Sequence, residues 1–195
     1  MSPIRFFMHS IIIFASGAGS NAKAIIEHFR HSGNVRVALI VCNKPGAGVL
    51  DVAAEENIPT LIIDKKSIRS GEFIDALNIH NPSLIVLAGF LWKVPDNVIA
   101  AFADRIINIH PALLPKYGGK GMYGMFVHEA VKAAAEKESG ITIHYVNEVY
   151  DSGNIILQAR CTIENDDTPA ILAQKVHRLE HFYFPRCIEF LLSQR

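Results

Sequence analysis

The sequence predicts an α/β protein: a doubly wound, mostly parallel sheet with mixed strands near its C-terminal end and a long terminal helix. Three observations carry that expectation. Short β-branched runs alternate with helical patterns in a βαβα order. Runs such as Leu84-Ile85-Val86-Leu87-Ala88 are apolar throughout, as strands covered on both faces must be. A glycine-rich turn, Ser16-Gly17-Ala18-Gly19-Ser20-Asn21, joins the first strand to the first helix, where open α/β sheets gather their ligands.

Taken in order, Met1–Ser10 reads as an N-terminal extension and residues 11–195 as a single domain. Arg5 and the apolar residues after it imitate a short signal peptide. His9 and Ser10 interrupt that run, which then feeds a glycine-rich turn and an amphipathic helix. Strands are expected at Ser10–Ala15, Val35–Cys42, Thr60–Ile63, Leu84–Ala88 and Arg105–Ile109. Helices are expected around Asn21–His31, Val49–Asn57, Glu72–Ile79 and Asp96–Phe102. Right-handed crossovers follow from the alternation. The rhythm then changes. A helix near Met125–Glu138 precedes two strands, Gly140–Asn147 and Asn154–Cys161, linked through Asp151-Ser152-Gly153. Thr168-Pro169 offers an N-cap and a proline at the first helical position, so the last helix starts there. Pro185 is expected to kink or break it.

Composition narrows the function. Half of the 195 residues are hydrophobic, 19% are charged, and 19 basic residues balance 19 acidic ones. Neither a general affinity for nucleic acid or acidic membranes nor disorder is expected. No apolar run is long enough to span a bilayer. The three cysteines, Cys42, Cys161 and Cys187, are widely spaced and form no C-x-x-C pair, a pattern that suits reduced thiols in the cytoplasm.

In the glycine-rich turn, backbone N–H groups can approach an anion closely while the helix N-terminus adds positive potential. With Ala22 the turn even satisfies the dinucleotide pattern G-x-G-x-x-A. A dinucleotide would want an acidic residue at the end of the second strand, where Val41-Cys42-Asn43-Lys44 has none. Gly19, Ser20 and Asn21 therefore suit one terminal phosphate. A plain tight turn also uses glycine, so this signal is weak alone.

Asn108-Ile109-His110-Pro111 carries the sharpest chemical signal. On a strand, Asn108 and His110 share one face while Ile107 and Ile109 fill the other. Pro111, lacking an N–H, ends the strand. If Asp151 joins them, an amide polarises a carbonyl, an imidazole moves protons and a carboxylate sets the imidazole's charge. That is equipment for acyl transfer without a covalent intermediate. Taken alone, the pair fits a strand end satisfied by turn backbone better; the other segments reverse that preference.

Those segments are the glycine-rich turn, Leu87-Ala88-Gly89-Phe90, Asn108-Ile109-His110-Pro111-Ala112-Leu113-Leu114-Pro115, Gly140-Ile141-Thr142-Ile143-His144, Asp151 to Gln158, and Glu180-His181-Phe182-Tyr183-Phe184-Pro185. In this order and spacing they resemble the folate-dependent formyltransferases, from about Ile11 to the C-terminus, and within them the branch acting in purine synthesis. The resemblance implies a Rossmann-like domain with a phosphate-binding half (residues 11–104) and a folate-binding, catalytic half (105–195). It implies 10-formyltetrahydrofolate as co-substrate and glycinamide ribonucleotide as acceptor, with no metal, nucleic acid or membrane partner, in a monomer or homodimer. Gly19, Ser20 and Asn21 would hold the substrate phosphate, and Glu180 would contact its glycinamide end. Arg69, Leu91, Trp92, Lys93, Val94 and Asn108 would border the folate. Asn108, His110 and Asp151 would be catalytic, with Thr142 and His144 supporting Asp151 from behind. Leu114-Pro115 would be a cis peptide bond beneath the site. Asp151 would raise the His110 pKa and favour an imidazolium that donates to the formyl oxygen.

Two features depart from the family pattern. Trp92 stands where many members have arginine, and Lys116 to Met125 is longer and richer in glycine than the common form.

Rival readings have handles too. His177 and His181, four apart on a helix, are spaced for zinc. Arg178 beside them repels a cation, and no glutamate follows the first histidine to act as the metalloprotease base. A non-catalytic phosphometabolite-binding module would leave Asn108, His110 and Asp151 unexplained. Sister formyltransferases and formyl-folate hydrolases carry extra domains or lack the Gly-Ser-Asn turn.

Overall fold

In the computed structural model, which describes residues 9–195, seven strands form one sheet. They are β1 (His9–Ala15), β2 (Val35–Cys42), β3 (Thr60–Ile62), β4 (Leu84–Leu87), β5 (Ile106–His110), β6 (Glu138–Tyr145) and β7 (Ile155–Thr162). Their order is β3-β2-β1-β4-β5-β6-β7. The first five pair in parallel, and β6 and β7 are added antiparallel. The helices are α1 (Ser20–Phe29), α2 (Gly48–Glu55), α3 (Gly71–Asn78), α4 (Asp96–Ala101), α5 (Met125–Ala133) and α6 (Pro169–Ser193). A 3-10 turn lies at Ser67–Arg69, where the sequence predicts no element.

The period of two along β1 builds two core layers. Ile11, Ile13 and Ala15 pack with α1, α2, α5 and α6 on one face. Ile12 and Phe14 pack with α3 and α4 on the other. None of Ile11, Ile12, Ile13 and Phe14 has exposed surface. Burying each such side chain stabilises by roughly 1.5–3 kcal/mol, so this strand belongs at the centre of the sheet. The connections wind outward in both directions from β1 and β4. That reversal leaves a crevice at their carboxyl ends.

Local chemistry sets the helix ends. The Ser70 hydroxyl accepts from the Phe73 N–H at 3.2 Å, and the Thr168 hydroxyl from the Ile171 N–H at 3.2 Å, with Pro169 following. α5 stops at Ala133, short of the expected Glu138, because Ala135 turns into the left-handed region at φ 52° and frees the chain to start β6.

Two expectations need correction. Pro185 does not break α6, which runs unbroken for 25 residues. A proline inside a helix costs about 3 kcal/mol, but buried Phe184, Ile188, Leu191 and Leu192 each return a comparable amount. The expected extension Met1–Ser10 overlaps β1, where His9 and Ser10 pair with Val35 and Arg36; its other residues lie outside those described. The Leu114–Pro115 bond is cis.

Candidate active site

The crevice between β1 and β4 is closed at its base by backbone. The Ser16 N–H donates to the Gly89 carbonyl at 3.1 Å, and the Leu91 N–H donates to the Ser16 hydroxyl at 2.9 Å. Gly19 has φ 84°, and a Cβ there would lie 2.8 Å from Val49 Cα, so only glycine fits. The turn delivers Ser20 and Asn21 to the start of α1, whose first N–H groups lack helical partners and whose first turn holds no acid. These are the features of an anion cradle.

Glu180 reaches this cradle from α6. Its Oε2 accepts from the Asn21 amide at 3.0 Å and pairs with His177 Nδ1 at 2.9 Å, while the residue is 4% exposed. The hydrogen bond to Glu180 raises the pKa of His177 despite partial burial. His177, its cationic form favoured by Glu180, therefore stands beside the cradle. The His-x-x-Glu spacing on a helix was the signal available for it in the sequence.

On β5, Asn108 and His110 point to the same side of the sheet, opposite His144 and Thr142 of β6. Ile107 and Ile109 join Ile141 and Ile143 in the core beneath. His144 Nδ1 lies 2.8 Å from the Tyr145 carbonyl, which can only accept, so the proton sits on Nδ1. Its Nε2 then accepts from the Asn108 amide at 3.1 Å, leaving that amide one further N–H. Likewise His110 Nε2 donates to the Tyr117 carbonyl at 2.7 Å, and its Nδ1 faces Asp151 Oδ2 at 3.6 Å.

Asp151 is the point of convergence. Oδ1 lies 3.7 Å from His144 Nε2, and Oδ2 accepts from the Gly119 N–H at 2.8 Å. Its backbone sits at φ 53°, a conformation Asp tolerates better than most residues. Gly153 follows because a Cβ there would lie 1.8 Å from the Tyr145 carbonyl oxygen. Thr142 does not reach Asp151. Its hydroxyl donates to the Ala112 carbonyl at 2.7 Å and accepts from the Leu114 N–H at 3.0 Å and the Gln158 amide at 2.9 Å. It holds the turn after β5.

The charge of His110 departs from expectation. Burial is the largest influence and lowers its pKa below the ordinary 6.5, outweighing Asp151 and the Tyr117 carbonyl, which both favour the cation. His110 is therefore a neutral imidazole at neutral pH, with the Nδ1 lone pair toward Asp151. For Asp151, burial pushes the carboxyl up, but the facing rings of His144 and His110 and the hydrogen bond from the Gly119 N–H together bring it below the usual value. With its pKa held below the usual carboxylate value, Asp151 is ionised at neutral pH. Neutral base, fixed anion and amide donor can together carry a proton during attack on a carbonyl.

Trp92, Lys93, Val94, Asn108, His144 and Asp151 line one cavity beside this cluster. Phe90 meets Trp92 edge-on, with ring centroids 6.3 Å apart. Leu91 is exposed and outside that lining. Arg69 is also exposed and outside it, and its carbonyl accepts from the Asn97 amide at 3.1 Å. His177 and His181 stack with centroids 6.1 Å apart. Among the described residues no group of three or more metal-ligating side chains is assembled, and no helix is long and apolar enough to cross a membrane.

Comparison with known proteins matches this sequence and fold to a family. Residues 9–188 fit the model described as formyl transferase. The chain is 37% identical over 192 residues to phosphoribosylglycinamide formyltransferase of Bacillus subtilis, covering 95% of this chain and 96% of that one. It is 38% identical to the chloroplastic enzyme of that name from Arabidopsis thaliana, of whose length it spans 66%. The crystal structure of phosphoribosylglycinamide formyltransferase from Bacillus halodurans superposes with a TM-score of 0.85 at 37% identity, covering 94% of this chain and 95% of that one. The counterpart from Anaplasma phagocytophilum superposes with a TM-score of 0.87 at 30% identity, covering 95% and 87%. The chain belongs to the formyl transferase family, among the phosphoribosylglycinamide formyltransferases.

Proposed function

We propose that the chain transfers the formyl group of 10-formyltetrahydrofolate to the primary amine of glycinamide ribonucleotide, giving the N-formyl product and tetrahydrofolate. The observation that carries this reading is the meeting of Asn108, His110 and Asp151 beside a cradle clasped by Glu180. Gly19, Ser20 and Asn21 take the substrate phosphate, with His177 adding positive charge. The cavity of Trp92, Lys93, Val94 and Asn108 takes the folate.

The amine attacks the formyl carbon, forming a C–N bond while the carbonyl electron pair moves to oxygen. The Asn108 N–H not used by His144 donates to that oxyanion. The ammonium proton passes to His110 Nδ1, and Asp151 stabilises the imidazolium as it forms. On collapse the bond to the folate nitrogen breaks, and the imidazolium returns the proton to that leaving nitrogen. A base of lowered pKa suits this sequence better than a permanent imidazolium, which could not accept the proton. The free cysteines Cys42, Cys161 and Cys187 fit a reducing compartment such as the cytoplasm.

The test is the absorbance change on mixing the protein, a 10-formyl folate and glycinamide ribonucleotide. Turnover is expected only with both substrates present. Equal loss of formyl folate when the ribonucleotide is omitted would replace transfer by hydrolysis.

A further inference from the structure

One carboxylate outside the cleft grips the segment that holds both His110 and Asp151. Glu136 lies between α5 and β6, and its Oε1 accepts from the Tyr117 phenol at 2.9 Å and the Lys116 ammonium at 2.8 Å. Tyr117 has φ 57°, an uncommon conformation for so bulky a residue. Such backbone persists only where its surroundings over-determine it. From this position the Tyr117 carbonyl meets His110 Nε2 at 2.7 Å. Two residues on, the Gly119 N–H meets Asp151 Oδ2 at 2.8 Å. Between them, a Cβ on Gly118 would lie 2.5 Å from Leu114 Cδ2 and 3.2 Å from Asp151 Cβ. The segment therefore lies flat against the aspartate, and among the described residues the side-chain hydrogen bonds of Lys116 and Tyr117 run to Glu136.

We propose that Glu136 is a positioning residue. By fastening the Tyr117 side chain it keeps the Tyr117 carbonyl on His110 and the Gly119 N–H on Asp151, and so dictates which imidazole nitrogen carries the resting proton. The inference rests on the reading of His110 and Asp151 as the proton-handling pair. Glu136 touches no reacting atom. The titratable groups that face His110 itself are Asp151, His144, Glu180 and His128. Without the Tyr117 carbonyl, the Nε2 proton loses its acceptor and the tautomer with the proton on Nδ1, bonded to Asp151, becomes competitive. That tautomer cannot take the amine proton at Nδ1.

The experiment combines steady-state kinetics with nitrogen NMR of the His110 ring in Tyr117→Phe, Glu136→Ala and Glu136→Gln. Tyr117→Phe keeps every backbone group and the packing of the ring, so it serves if Glu136→Ala does not fold. Both disruptive variants should lose roughly 10- to 100-fold in kcat, as slight misplacement of a reacting group does, with little change in either KM. Their His110 spectra should change from a single Nε2–H form to a tautomer mixture, and the acid limb of kcat should move to lower pH. Glu136→Gln, which retains an acceptor for the phenol, should recover most of the activity. An unaltered His110 spectrum in Tyr117→Phe overturns the proposal, and so does an altered spectrum with undiminished kcat. His110→Ala separates the two ideas: full turnover there sinks the catalytic reading, while the nitrogen spectra of the other variants still report whether Glu136 governs the imidazole.

Discussion

The side-chain amide of Asn21, in the first turn of α1, donates to the Glu180 carboxylate of α6 at 3.0 Å across 159 residues of sequence. The same carboxylate oxygen pairs with His177. Cradle and terminal helix are thus joined by hydrogen bonds, so a change to the helix is expected to reach the cradle.

Glu180→Gln keeps an acceptor for Asn21 but removes the charge that supports His177. Hydrogen bonds to charged groups contribute roughly 1.5–3 kcal/mol, so the KM for glycinamide ribonucleotide should rise about tenfold or more, with a smaller change in kcat. Steady-state kinetics at saturating folate measures this. An unchanged KM would remove Glu180 from the substrate site.

The same pair gives a pH dependence with a defined sign. His177 has its pKa raised above 6.5 by Glu180, so its positive charge is complete below that value and is lost as pH rises through the raised pKa. Affinity for the phosphorylated substrate should therefore weaken on the alkaline side of 6.5. His177→Gln should bind weakly throughout and flatten the profile. Titration calorimetry at several pH values is the measurement, and a parallel profile in both proteins would refute the role.

At His110 the sign is opposite. Its pKa lies below 6.5, so the neutral base persists until the solution is more acidic than that, and kcat should fall only on the acid side. Asp151→Asn removes the group that favours the cation. The acid limb should move to still lower pH while kcat at neutral pH drops, because the forming imidazolium loses its counter-charge. Asn108→Ala removes the proposed oxyanion donor and should cost ~100- to 1000-fold in kcat. Near-normal turnover by Asp151→Asn at neutral pH would dismantle the assignment. Buried His110 and His128 also both resist protonation in the fold, so stability should be full above 6.5 and decline as pH falls below it. Thermal melts across that range test this.

Gly19→Ala places a methyl 2.8 Å from Val49 Cα in a backbone of φ 84°. Strain of this kind costs about 1–3 kcal/mol, which corresponds to a Tm lower by roughly 2–12 °C in a chain of this size. The KM for the phosphorylated substrate should rise in step with that loss. An unperturbed melt would show that α2 yields more easily than its packing suggests.

Much of this arrangement is legible in the sequence because it is written in short-range periodicities. Asn108 and His110 share a face because strand side chains alternate, and the glycine-rich turn announces itself by residue type. What is not legible depends on partners distant in sequence. The resting charge of His110 follows from burial beneath β6 and the Tyr117 segment, which reverses the sign expected from Asp151 alone. Tyr117 and Gly119 act through backbone atoms, for which no residue type is a marker; the paired glycines at 118 and 119 were the only trace. Pro185 reads as a breaker because its intrinsic cost is visible, whereas the compensating contacts of Phe184 and Ile188 belong to the tertiary core. Thr142, by contrast, faces the expected side of its strand yet spends its hydroxyl on the turn after β5.

The 25-residue α6 spans about 37 Å and packs against α1, α5, β6 and β7. During synthesis it leaves the ribosome after all of those elements. Until then the apolar faces of α1 and α5 wait uncovered and the Asn21 amide has no carboxylate to grasp. A nascent chain halted before Glu180 would therefore hold Asn108, His110 and Asp151 but neither a closed core nor a finished cradle, and would be a natural client for chaperones that shield exposed apolar surface.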